Sequence, residues 1–97
     1  MTDVLYVQSA HTDLLEAWLF IAEDNLAAAD RMLEALAQEA TTLSLQPMMG
    51  RARPELDQEV RSWPTSTPYI LFYEINEATL TVLRVLHHAR DVGKHIF

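Results

Sequence analysis

The chain has 97 residues, no cysteine and a formal charge of −7. That length is enough for one domain that buries roughly 60–65% of its unfolded surface, and without cysteine there are no disulfides, thiolate metal sites or cysteine nucleophiles. The charge is uneven: residues 1–50 hold eight acids against Arg31 alone, while residues 51–97 balance six acids with six bases, so nonspecific attraction to nucleic acid is disfavoured outside a local patch in the second half.

No basic segment leads into an apolar one at the amino terminus, and the apolar run at residues 17–22 is too short to span a bilayer. A cytoplasmic protein with no membrane partner is expected. Residues 4–7 are apolar, β-branched and aromatic and predict a short first strand, with Ser9 placed to cap the helix that follows. From residue 10 to about residue 24, Leu14, Leu15, Trp18, Leu19, Ile21 and Ala22 recur at helical steps between Asp13, Glu16, Glu23 and Asp24. Asn25 suits both the end of this helix and the cap of the next, so a helical hairpin is expected.

The second helix carries Leu26, Ala29, Leu33, Leu36, Ala40 and Leu43 at alternating steps of three and four, with Asp30, Glu34, Gln38 and Glu39 reading as a solvated face. Pro47, Gly50 and Pro54 then punctuate a connection holding Met48, Met49, Arg51 and Arg53. Its methionines fit either a loop tucked onto the core or a partner-binding rim. Residues 60–63 predict a short or edge strand, bounded by Pro64 and Pro68.

Tyr69, Ile70, Leu71, Phe72, Tyr73 and Ile75 form a nearly continuous apolar run, as in a central strand covered on both faces; Asn76, Glu77 and Ala78 supply a turn, and residues 80–86 mirror the run. Regular alternation puts Leu80, Val82, Arg84 and Leu86 on one face and Thr81, Leu83, Val85 and His87 on the other. A guanidinium among aliphatic side chains needs an acidic partner, for which Glu74 or Glu77 is the nearest choice, or a place in a cleft. The residues after 88 are polar, with Arg90, Asp91, Lys94 and His95, and end in Ile96 and Phe97.

Glycine-rich phosphate loops are absent, as is a helical His-x-x-x-His pair, so no cofactor is expected. His87 and His88 with His95 are a poor metal set, because neighbours on a regular strand point to opposite faces. Arg61, Arg84 and Arg90 with His87 or His88, joined by Arg51 and Arg53, remain the candidate constellation. Converging arginines bind a phosphodiester or a carboxylate through paired hydrogen bonds, and an imidazole can move a proton near neutral pH. That set suits metal-free RNA cleavage and equally the holding of an acidic partner peptide.

In order along the chain, HTDLLEAWLFIAEDNLAAADRMLEAL, QPMMGRARPEL, VRSWP, PYILFYEI and TLTVLRVLHHARD resemble the ParE branch of the RelE/ParE superfamily of type II toxin–antitoxin systems, over about nine tenths of the sequence. The resemblance implies an α+β fold: an N-terminal strand, then an antiparallel two-helix hairpin packed on a small, mainly antiparallel curved β-sheet. It implies a toxin that stabilises the cleaved-DNA complex of DNA gyrase without being an enzyme, and a cognate antitoxin that binds it as a hetero-oligomer. The antitoxin would enter an apolar groove between helix pair and sheet, with Arg51, Arg53, Arg61 and Arg84 on the rim and Trp18, Met48 and Trp63 as anchors. His87, His88, Arg90 and Lys94 would face the target. RelE-type relatives instead cut messenger RNA on the ribosome; in that alternative Arg61 and Arg84 match phosphate-binding positions, and His87 or His88 lies near the late general acid. One lysine, no late tyrosine and an acidic balance depart from the RNA-cutting pattern. Pro68 stands where many ParE relatives carry a basic residue, and a non-toxic relic that still binds its antitoxin is the third reading.

Overall fold

The structure is a computed structural model and describes residues 3–89. It runs β1 (Asp3–Tyr6), α1 (Gln8–Ala22), α2 (Leu26–Leu45), a 3₁₀ turn (Pro47–Met49), β2 (Arg51–Ala52), β3 (Arg61–Pro64), β4 (Tyr69–Asn76) and β5 (Thr79–His87). The five strands form one sheet in the order β1-β5-β4-β3-β2, antiparallel except for the parallel β1–β5 pair. The expected α+β arrangement of strand, helix pair and mainly antiparallel sheet is thus present. Residues 90–97 lie outside the described residues, and with them the expectations for Arg90, Lys94 and His95. Among the described residues no helix is long and apolar enough to cross a membrane.

Local chemistry accounts for most boundaries. Asn25 is extended, and its side chain accepts the Ala28 N–H at 3.0 Å, capping α2. Ser9 does not cap α1. The Val7 N–H is held by the Val82 carbonyl, and Val7 itself becomes the N-cap, so the helix starts one residue before the serine. On α2 the stripe of Ala29, Leu36, Ala40 and Leu43 is buried and Met32 joins it, whereas Leu26, in the opening turn, stays exposed. The solvated face is only partly solvated, because two of its acids tie elements together. Asp30 accepts the Trp18 indole N–H from α1, and Glu39 accepts the Trp63 indole N–H and both the backbone and hydroxyl donors of Ser66.

Both faces of the sheet are covered, as the apolar run of β4 requires. Tyr69, Leu71 and Tyr73 meet the helices, while Phe72 points the other way into a smaller cluster with Val60 and Leu86. Leu56, from the segment between β2 and β3, packs on that smaller cluster, and the Arg53 guanidinium lies 5.9 Å from the Phe72 ring centre. The Tyr73 hydroxyl reaches the 3₁₀ turn: it donates to the Pro47 carbonyl at 2.6 Å and accepts the Gly50 N–H at 3.0 Å. Gly50 is required here because a Cβ would run into that ring. The turn itself leaves Met48 70% exposed, so this methionine does not tuck onto the core.

Regular alternation fails in β5. Tyr73 pairs with Val82 and Phe72 with Arg84, leaving Leu83 between partners as a bulge. Leu80 and Val82 therefore face the helices, and so does Val85, while Arg84 and Leu86 leave from the opposite side. The single face of Leu80, Val82, Arg84 and Leu86 expected from period-two counting does not exist.

Burial pushes the Glu39 carboxyl upward, but the hydrogen bonds from Ser66 and Trp63 more than offset this and hold it below its ordinary value of 4.5. A carboxylate depressed on folding contributes stability that is present above its unfolded pKa and lost as pH falls through the folded one. Wild-type stability measured by urea unfolding should therefore fall on acidification below the ordinary glutamate value, and Glu39→Gln should flatten that part of the profile. Parallel wild-type and Glu39→Gln profiles would contradict the assignment.

Candidate partner-binding site

The most consequential polar contact joins α1 to β5. β1 stops pairing at Tyr6↔Val82, so from Leu83 onward no described strand lies on that side of β5. Asp13, buried one turn after Ala10 and one turn before Ala17, faces this edge. Its Oδ2 accepts the Val85 N–H at 3.0 Å and Arg84 Nε at 2.7 Å, and Oδ1 accepts Arg84 Nη2 at 2.9 Å. One carboxylate thereby takes over a backbone donor left by the missing strand and binds Arg84 through two guanidinium nitrogens. The Asp13 hydrogen bonds push the Arg84 guanidinium further up; burial opposes them, and the charges of Asp13 and Glu16 assist.

Arg84 does have an acidic partner, but it is Asp13 on α1 and not Glu74 or Glu77 across the hairpin. Helical spacing was the available signal, since Asp13 is in phase with Ala10 and Ala17 on the buried stripe. Beside this pair, α1 and the carboxyl-terminal part of β5 border a groove of about 270 Å³, lined by Asp13, Glu16, Ala17, Phe20, Tyr69, Val85, Leu86 and His87. His87 is one of its lining side chains. The ring meets Tyr69 edge-on, stacks on His88 at 4.6 Å, and accepts the Ala89 N–H at Nδ1. The stacking of neighbouring imidazoles is possible because β5 ends at His87, which releases His88 from strand alternation. Among the described residues no group of three His, Asp or Glu is placed to hold a metal ion.

The expected arginine constellation does not converge. Arg61 pairs across strands with Tyr73 and Arg84 with Phe72, adjacent residues of β4 that project to opposite faces. The two arginines also sit on strands either side of β4, roughly 9–10 Å apart in the sheet. Arg61 Nη1 donates to the Gly50 carbonyl, and Arg53 is bound to Glu55 and Ser62. Trp18 and Trp63 are half-buried with their indole N–H groups used inside the chain, while Met48 and Arg51 are exposed near the β2 edge. No single groove gathers these seven residues. The groove beside β5 is bordered by Phe20, which is 70% exposed, and elsewhere on α1 Leu15 and Leu19, which period counting placed on the apolar stripe, are exposed too.

Residues 4–92 match the family model described as ParE toxin of type II toxin-antitoxin system, parDE. The chain belongs to the ParE toxin family. Comparison with curated proteins gives no match. Among solved structures, one described as the chromosomal ParDE TA system from P. aeruginosa superposes with a TM-score of 0.74 at 16% identity, covering 90% of this chain and 96% of that one. At that identity the likeness speaks for the fold, and the ParE architecture accounts for the strand, helix pair and sheet described above.

Asp13 and Arg84 are nearly enclosed, so removing Arg84 leaves the buried Asp13 carboxylate without its guanidinium. Arg84→Met should destabilise the ParE chain by about 3 kcal/mol. Combined with Asp13→Asn, the loss in urea unfolding should be smaller than the sum of the single changes. Strictly additive losses would show that the pair is not coupled.

Proposed function

We propose that this ParE chain is the toxin of a type II pair, that it inhibits DNA gyrase by stabilising the cleaved-DNA complex, and that a cognate antitoxin neutralises it by binding. The family match over residues 4–92 carries the reading. Site geometry supports a protein-binding inhibitor over a ribonuclease. Metal-free cleavage of RNA needs cations gathered around one phosphate with a proton-transfer group beside them. Here Arg61 and Arg84 leave opposite faces of the sheet, and both are engaged by acceptors within the chain. His87 Nδ1 is occupied by the Ala89 N–H. The net charge of −7 also opposes docking on ribosomal RNA.

Within this reading the exposed apolar residues of α1 and the groove beside β5 receive the antitoxin, with Met48 and Arg51 as further contacts near the opposite edge of the sheet. Trp18, Trp63, Arg53, Arg61 and Arg84 shape those surfaces through their internal bonds. His87 and His88, at the exit of β5, remain the described candidates for contact with the target.

Purified toxin added to gyrase supercoiling and cleavage reactions should trap cleaved DNA, and the same preparation should leave messenger RNA intact in cell-free translation. Cut messenger RNA with unaffected gyrase would transfer the assignment to the ribonuclease reading. Inactivity in both, with antitoxin binding retained, would identify a non-toxic binder.

A further inference from the structure

We infer that the surface formed by α1 and the β5 groove is built for a cationic amphipathic segment, an apolar stripe flanked by lysine or arginine. This rests on the proposal that an antitoxin docks there and adds the chemistry of the segment.

Two independent features select that occupant. The first is apolar: Leu15 and Leu19, one helical turn apart, stand exposed on α1, and so does Phe20, which borders the groove lined also by Val85 and Leu86. The second is electrostatic. α1 and the turn after it carry Asp13, Glu16, Glu23 and Asp24 but no lysine or arginine. Asp13 is neutralised by Arg84, so Glu16, Glu23 and Asp24 set the sign of the exposed surface.

Glu23 and Asp24 stand exposed in the turn between the two helices. Glu23 caps the carboxyl end of α1 and Asp24 follows it, while the last turn contains no basic residue. Acids there lie between the negative end of α1 and the positive end of α2, so the two dipoles offset and the carboxylates keep their charge at the surface. Packing does not call for them, since both are exposed. A cationic partner complements them, because lysine or arginine laid across that end of α1 pairs with exposed carboxylates that have no basic neighbour on their own helix. A second copy of this chain does not, since a two-fold contact would set the same acids against one another. Nucleic acid is excluded by the same sign of charge.

The test uses the full-length chain and two synthetic helical peptides with one leucine stripe, flanked by lysines in the first and glutamates in the second. Fluorescence anisotropy should show the lysine peptide binding at least about tenfold more tightly, with the preference shrinking as salt screens it. Phe20→Ala, and separately the pair Glu16→Gln with Glu23→Gln, should each weaken it several-fold, whereas Glu34→Gln on the exposed side of α2 should not. Equal affinity for the two peptides, no binding of either, or equal weakening by Glu34→Gln would overturn the inference. So would a dimer that Phe20→Ala dissolves, or displacement of the lysine peptide by a peptide of residues 90–97. Neither gyrase nor antitoxin enters the experiment, so its failure would discard the polarity of the surface and leave the toxin assignment to the gyrase assay.

Discussion

Where β1 ends, the sheet of this protein is completed by a side chain. The Asp13 carboxylate accepts the Val85 N–H and two guanidinium donors of Arg84, and the placement of α1 against the sheet follows from it. A buried backbone donor left unpaired would cost about 1–3 kcal/mol, and a longer β1 would have satisfied it. A carboxylate from the helix does so instead, on an edge of β5 that no described strand covers beyond Val82. The result is an open groove between α1 and β5 in place of a continuous sheet. The bulge at Leu83 belongs to the same arrangement, because it turns Arg84 away from the helix-facing core and returns Val85 to it.

Much of this was legible in the sequence, and the failures have physical causes. Helix α2 declared itself through the step of Ala29, Leu36, Ala40 and Leu43, and the covered strand β4 through its unbroken apolar run, since burial acts on these positions one by one. Asn25 was readable as a cap because capping is local. The partner of Arg84 was not readable in this way. Asp13 is 71 residues away, and period counting places the nearest acids across the hairpin. The bulge escaped for a related reason, since alternation has no local marker for the one residue that breaks it. β2, two residues long, carries too little pattern to register.

The candidate site shows the same division. Composition singled out arginine and histidine in the second half, but their chemistry depends on where neighbouring acceptors sit. Gly50 holds Arg61, Glu55 and Ser62 hold Arg53, and Asp13 holds Arg84. These bonds spend the cations on the fold of a ParE chain. The acids of α1 meet no such cations on their own helix, so Glu16, Glu23 and Asp24 give the groove side its sign. Part of the charge asymmetry between the two halves of the sequence thus becomes, in three dimensions, an acidic helix with exposed apolar residues beside a strand edge that no described strand covers.

The claim on which this account rests is that Asp13 stands in for a strand at Val85. Amide hydrogen exchange read residue by residue tests it directly. The Val85 N–H should exchange as slowly as the paired amides at the centre of β5, and Asp13→Ala should accelerate Val85 selectively while the Val82 and Leu80 amides stay protected. A Val85 amide that exchanges quickly in the wild type, or one indifferent to Asp13→Ala in a chain that remains folded, would contradict it.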